Sequence, residues 1–419
     1  MTAPVMNITP YDTPLRGRTT GGQATRLRIM MVSGWESNPY VDCAIRALLK
    51  TGACVNLVAR EGSDALRDLP ACTIHPIFPG HRNGRSYLRM AVLEIIALAR
   101  VLRLVRKTRP HVVHFQSYRM IRLDWSLFLC LLLLRYKIVF TVHDTHSLEE
   151  SRLDTCIFTQ TARRSHLLLV HSLNAREILM GKWKVNPDRI RVVPHGGYDH
   201  YYKRQTSRSS ARARLGLHSE FVLLAFGTIR PYKGLDYLLP AVAEARKSIP
   251  ALRLLIAGRA FNQELGNQYR RQISDLNLGA CVGFENRYIE PEEVENFFSA
   301  ADLVVLPYIR IDQSGVLFLS YTFGKPVLAT RLGGLPEFVR EGTCGYLVRP
   351  GDSRALSTAI IKAWNNREKL AEMGLNARRL IEREYTWERQ AEITLESYLS
   401  LLGADSSGHD GVRSASASH

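Results

Sequence analysis

Short, uninterrupted apolar runs alternate with helix-length amphipathic stretches from Leu27 onward. In the first half, Leu27–Ser33, Val55–Ala59, Val112–Phe115, Ile138–Val142, Leu167–Val170 and Ile190–Val193 predict strands. Their apolar residues are consecutive rather than alternating, which fits parallel strands covered on both faces. Helical spacing lies between them, as in Val41–Lys50 and Tyr87–Lys107. A polar, basic stretch, Arg204–Glu220, interrupts the pattern. Strands are then predicted at Phe221–Phe226, Arg253–Ala257, Val282–Phe284, Leu303–Leu306 and Pro326–Ala329. Helices fill the gaps at Leu235–Lys247, Gln263–Leu276, Pro291–Phe298 and Gly315–Phe323. Two such series in tandem predict an α/β protein of two doubly wound domains facing a cleft, with ligands beyond the carboxyl ends of the strands. The expected boundaries are a loose tail over 1–25, a first domain over 26–203, a linker with a short helix over 204–220 and a second domain over 221–385. A helix over 386–403 is expected to pack back across the first domain, ahead of a loose tail over 404–419.

Charge changes this picture in the first half only. Of the net +17, residues 1–200 hold 28 Lys and Arg against 15 Asp and Glu, and the remainder 28 against 24. A basic first half predicts an anionic partner there. On the Tyr87–Lys107 helix, Arg89, Arg100, Arg103 and Lys107 fall within about 60° at ~100° per residue, with apolar Val92, Ile95 and Ile96 beside them. A helix of that kind suits a membrane interface. The longest apolar run, Trp125–Leu134, is about half of the ~20 residues a spanning helix needs. With no apolar leader in the first 26 residues, a cytoplasmic protein, peripheral at the inner membrane face, is expected. The seven cysteines form no CxxC pair, so neither a disulfide framework nor a zinc site is indicated. Nucleic acid is not an expected partner, because no recognition motif accompanies the charge.

The candidate chemistry lies in loops that follow strands. Gly227-Thr-Ile-Arg-Pro-Tyr-Lys233 places two cations, Arg230 and Lys233, beside a glycine that admits a ligand to the backbone. That is what a departing diphosphate requires, positive charge where negative charge develops. Asp312-Gln-Ser-Gly-Val leads into a helix whose first amides, at Ser314, Gly315 and Val316, suit phosphate or sugar oxygens. Asp312 can take sugar hydroxyls or simply cap that helix. Gly333-Gly-Leu-Pro-Glu337 opens another helix with Glu337 in its first turn, where the dipole favours an acid whatever its function. In the first half, His143 ends a strand at the cleft side, and His195-Gly-Gly suggests a tight turn into the hinge.

Taken in order, these segments resemble the retaining glycosyltransferases of family 4, with GT-B architecture. The matching stretches are Gly227…Arg230-x-x-Lys233-Gly234, Leu254-Leu-Ile-Ala-Gly258, Ala301-Asp-Leu-Val-Val-Leu-Pro307, Ser314-Gly315, Gly324-Lys-Pro-Val, Gly333-Gly-Leu-Pro-Glu337 and Gly345-Tyr-Leu-Val. The resemblance implies transfer from a nucleoside-diphosphate sugar to a glycan with retained configuration. It places Arg230 and Lys233 on the diphosphate, Asp312 and His143 near the transferred sugar, and Gly227, Ser314, Gly315, Val316 and Glu337 around the donor. No D-x-D motif is present, so no metal and no cofactor are expected. The basic first half suits an acceptor on a polyprenyl diphosphate, as in surface-polysaccharide assembly. The chain departs from the family at the second glutamate of its E-x7-E motif, where Leu319 or Ser320 stands, and in a reduced first loop, Ser33–Tyr40. A sugar-nucleotide-binding subunit without turnover and a GT-B epimerase are the competing readings.

Overall fold

The computed structural model describes residues 26–34, 39–61, 69–79, 87–118, 121–145, 152–202 and 205–410. The stretches 1–25 and 411–419 read as tails, part of the Ser33–Tyr40 loop, and the side chain of Arg89 lie outside them.

The first sheet is built from β1 (Arg28–Val32), β2 (Cys54–Arg60), β3 (Cys72–Phe78), β4 (Val112–Phe115), β5 (Lys137–Val142), β6 (Leu167–Val170) and β7 (Ile190–Val192). Its helices are α1 (Pro39–Lys50), α2 (Tyr87–Thr108), α3 (Ile121–Leu133), α4 (Arg152–Arg164) and α5 (Leu173–Gly181). The second domain contains α6 (Arg208–Arg214), β8 (Phe221–Phe226), α7 (Leu235–Ala245), β9 (Leu252–Ala257), α8 (Gln263–Asp275), β10 (Val282–Glu285), α9 (Pro291–Ala300) and β11 (Leu303–Leu306). It continues through α10 (Gly315–Thr322), β12 (Val327–Thr330), α11 (Leu335–Phe338), β13 (Gly345–Val348), α12 (Ser353–Asn365) and α13 (Leu370–Glu384). The chain then enters α14 (Trp387–Asp410).

The strand orders are β3-β2-β1-β4-β5-β6-β7 and β10-β9-β8-β11-β12-β13. Neighbouring strands run parallel throughout both sheets among the described residues, as at Met30↔Val113 and Leu303↔Leu223. In each sheet the winding reverses once, between β1 and β4 and between β8 and β11, so each has a crevice at that switch point. The central strands are buried on both faces, which is why they read as unbroken apolar runs. These are two Rossmann-like domains in the GT-B arrangement.

The structure refines the expectation in three places. β3 and β13 were not foreseen: both are edge strands with one neighbour each, and β3, half-exposed and paired with β2, carries Pro76. An edge tolerates the missing N–H. The stretch 204–220 holds the expected short helix, α6, and packs onto the second domain. Ala211 and Leu217 lie in the second domain's core, and the buried Arg212 guanidinium bonds Asp302 at 2.7 Å and the carbonyls of His218 and Glu220 at 3.0 Å. The last helix does not stop at 403 but continues to Asp410.

The chain crosses between domains twice. The Gly197 amide donates to the Tyr385 carbonyl at 3.2 Å, and the Trp387 indole N–H donates to the Gly197 carbonyl. A side chain on Gly196 would stand 2.7 Å from the Trp387 ring, so glycine is what lets the indole lie across the crossing. After the second crossing, α14 returns to the first domain. Trp387, Ala391 and Tyr398 sit in that domain's core, and the Tyr398 hydroxyl bonds His114 Nδ1 at 2.6 Å.

Candidate active site

The two crevices face each other, and the loops after β8 and β11 form the second domain's side. Gly227, just past β8, has φ +91°, and a Cβ there would stand 3.0 Å from Lys233 Nζ. Glycine therefore answers both the backbone conformation and the approach of the ammonium. Lys233 is carried on the 3-10 turn Pro231–Lys233. Its Nζ donates to the Phe226 carbonyl at 3.1 Å and lies 5.6 Å from the centre of the Tyr308 ring. Burial, then the neighbouring Arg230, pulls its pKa down to about 8. The Arg230 guanidinium lies 4.3 Å over the Phe261 ring.

Across the crevice, Ser314 caps α10, its side chain accepting the Leu317 amide, and its hydroxyl lies 3.2 Å from Tyr308 Oη. The amides of Gly315 and Val316 occupy the first two positions of α10 and have no acceptor within their own helix. Tyr198, from the hinge, reaches the same end: a Cβ on Gly315 would stand 3.0 Å from its hydroxyl. That hydroxyl donates to His195 Nε2 at 3.0 Å, because His195 Nδ1 is committed to the Gly196 carbonyl at 2.6 Å. The imidazole stacks on Phe318 of α10 at 4.8 Å.

The first domain contributes the loops after β5 and β6. His143 lies within a cluster of buried rings centred on Tyr40, whose ring is 4.9 Å from His143, 5.1 Å from His171, 5.0 Å from His195 and 5.2 Å from Trp387. Burial first, and then the other imidazoles, hold His143 well below the usual histidine range, so it is neutral at physiological pH. The Asp312 carboxylate is turned toward this domain and accepts the Thr145 amide. Asp144, next to that amide, has its pKa pushed up to about 7 by burial and then by Asp312, with Arg310 opposing.

The structure thus gathers Gly227, Arg230 and Lys233 on one wall, Ser314, Gly315 and Val316 on the other, and Asp312 against the loop that follows His143. Glu337, expected around the donor, turns both its carboxylate oxygens to the first domain, where they accept the Leu173 and Asn174 amides. Leu319 is buried, and the Ser320 hydroxyl is spent on the Val316 carbonyl at 2.6 Å, so neither replaces the absent glutamate. Asp144, Arg310, Tyr198 and His171 were missed by the sequence reading; only contacts between distant segments bring them here. Among the described residues no group of three or more His, Cys, Asp and Glu is placed to hold a metal, and no helix is long and apolar enough to cross a membrane. A cavity of about 640 Å³ lies behind the hinge, bordered by Arg46, Leu69, Gly197, Arg378, Tyr385 and Trp387. Arg46 and Arg378 there are ion-paired to Asp42 and Asp199, whereas Arg230 and Lys233 at the crevice have no carboxylate partner among the described residues.

Comparison with known proteins gives the same architecture. The family model for Glycosyltransferase Family 4 matches residues 38–196, and that for Glycosyl transferases group 1 matches residues 207–380. The chain is 31% identical over 254 residues to a D-inositol 3-phosphate glycosyltransferase from Nocardioides sp., covering 57% of this chain and 54% of that one. It is 35% identical over 223 residues to the protein of that name from Nocardia farcinica, covering 51% and 48%. The chain therefore spans about half the length of these curated relatives. The crystal structure of HepE from Anabaena in complex with UDP-glucose superposes with a TM-score of 0.71 at 20% identity, covering 91% of this chain and 100% of that one. The chain is built on the GT-B fold, and its two domains match, in order, the family models for Glycosyltransferase Family 4 and Glycosyl transferases group 1.

Proposed function

We propose that the protein is a glycosyltransferase that moves a sugar from a nucleoside-diphosphate sugar to a glycan acceptor with retention of configuration. The observation that carries this is the convergence of Arg230, Lys233 and the first amides of α10 on the Gly227 crevice. The relatives' names and the UDP-glucose held by the similar HepE structure support a nucleotide-sugar donor. In this reading the diphosphate lies between the two cations and the amino end of α10. As the anomeric C–O bond breaks, its electron pair passes to the departing diphosphate oxygen, which takes the proton of the acceptor hydroxyl while that hydroxyl's oxygen bonds the anomeric carbon on the same face. The cations and amides stabilise that charge without a metal. His143, neutral in its ring cluster, and the side chain of Asp312 hydrogen-bond the sugar.

Transfer of label from UDP-, GDP- and ADP-sugars to a membrane extract tests the reading. Turnover with one donor is the expected result; binding without transfer or donor hydrolysis would establish a non-catalytic subunit instead. For the active donor, kcat/KM should fall as pH rises through about 8, because it reports the free enzyme, in which Lys233 loses its charge there. A flat alkaline limb would remove Lys233 from the diphosphate site.

The acceptor is proposed to be phosphorylated and presented at an anionic membrane, as a polyprenyl diphosphate is at the cytoplasmic face. In support, Val92, Ile95 and Ile96 are exposed on α2 together with Arg100, Arg103, Arg106 and Lys107, while the acidic Glu94 is buried. Neutralising Arg89, Arg100, Arg103 and Lys107 together is expected to weaken binding to anionic liposomes by roughly 10²-fold or more, at about 1 kcal/mol per residue. Unchanged sedimentation with the liposomes would make the stripe ordinary solvated surface.

A further inference from the structure

Past its cap, the amino end of α5 has three amides, those of Leu173, Asn174 and Ala175, with no acceptor in the helix, and the Ser172 cap satisfies one. Ser172 Oγ takes the Ala175 amide at 3.1 Å, and the Ser172 carbonyl takes the Arg176 amide at 3.2 Å. The first two amides are bonded by the other domain: Glu337 Oε2 accepts from Leu173 at 2.7 Å and Oε1 from Asn174 at 2.8 Å. One carboxylate thus covers two successive amides at the positive end of a nine-residue helix, an arrangement in which charge strengthens both bonds. Neighbouring contacts fix the same approach. Gly334, the residue before α11, lies so near Ser172 that a Cβ on it would stand 2.6 Å from the Ser172 Cβ. Its amide donates to the Asp312 carbonyl at 2.7 Å, while the Asp312 carboxylate accepts from Thr145. The loop before α11 is therefore tied both to the first domain and to the loop that opens α10. The α5 end joins this to the histidine cluster, because His171, one residue before the Ser172 cap, lies 5.0 Å from His143.

We infer that Glu337 is a positioning residue: its carboxylate clamps the amino end of α5 and so holds the first domain, with His143, over the donor crevice. Its importance for turnover rests on the glycosyltransferase reading above; the clamp itself is a property of two amides and can be measured without substrate.

Hydrogen exchange resolved at residues 173–176 of the full chain tests it. In the nucleotide-free protein Leu173 and Asn174 should exchange slowly, although the first amides of a helix ordinarily exchange fast. In Glu337→Ala both should speed up by roughly tenfold or more while Ala175 and Arg176 keep their protection. Glu337→Gln, which retains one acceptor oxygen and nearly the same volume, should release one amide and keep the other. In steady-state assays Glu337→Ala should lower kcat by roughly tenfold or more, as misplacement of reacting groups does, with the Kd for the nucleoside diphosphate unchanged. Fast exchange of both amides in the unsubstituted protein, or unaltered exchange in both variants, overturns the clamp. So does a Kd that weakens in step with kcat, which would make Glu337 a donor ligand. Exchange as expected with no transfer from any nucleotide sugar upholds the clamp and overturns the glycosyltransferase reading.

Discussion

Replacing Arg230 or Lys233 by alanine is expected to cut turnover by roughly 10²-fold or more each, the usual cost of removing one preorganised donor aimed at developing charge. The two variants should differ in other respects. Arg230 lies over the ring of Phe261, which is itself half-exposed, so its loss leaves the core intact and the fold as stable as before. Lys233 is half-buried, and its ammonium satisfies the Phe226 carbonyl at 3.1 Å, so Lys233→Ala also leaves an acceptor without its partner. A stability loss of about 1–3 kcal/mol should accompany the second variant and be absent from the first. Steady-state kinetics with the active donor, read beside melting curves, separates the effects. Near-normal rates in both variants would dissolve the assigned diphosphate site, whatever the melting curves do.

How far the sequence revealed this site depended on whether a residue's partner lies nearby in the chain. Central parallel strands such as β4 and β6 are apolar at every position because both faces are covered, and that pattern is visible in four residues. β3 is an edge strand with one partner, so its exposure varies along its length and Pro76 argues against a strand at all. The Gly227–Lys233 strip was legible because a glycine and two cations after a strand need no distant partner to be meaningful. Arg204–Glu220 showed its short helix but not its packing, for the opposite reason. Its basic residues look solvated until Asp302, about ninety positions on, appears beside Arg208 and Arg212.

Glu337 shows the limit most clearly. An acid in the first turn of a helix is ordinary, and nothing local distinguishes one that serves its own helix from one that serves another. Its true partners are 164 and 163 residues earlier in the chain. The ring cluster is similar. Tyr40, His143, His171 and His195 end or follow separate elements, and only the winding of the first sheet and the return of α14 bring them around one point. Each histidine read alone looks structural. Together they make a desolvated pocket that keeps every imidazole neutral, with His114 and His195 pulled down to about 3 and His171 to about 4, burial being the leading cause in each.

Trp387→Ala is expected to be the most destabilising single change at the hinge, by about 3–5 kcal/mol, the range for removing a buried aromatic side chain. Its indole is almost fully buried, lies 5.2 Å from Tyr40 and 5.3 Å from His195, and donates to the Gly197 carbonyl. Alanine removes those contacts and leaves that carbonyl unpaired. The hole would open into the existing cavity behind the hinge, which Trp387 already borders, so water can enter instead of the walls closing in. The loss should fall on the first domain, because among the described residues α14 contributes Trp387, Ala391 and Tyr398 to that core and none to the second. Two transitions are therefore expected on melting, the earlier one lowered by several degrees and the later one unmoved. Tyr398→Phe should move the same transition by less, since it removes one hydrogen bond to His114 and no ring, about 1–3 kcal/mol at most. A single transition that shifts as a whole would mean that the domains melt as one unit and that α14 couples them rather than serving the first alone.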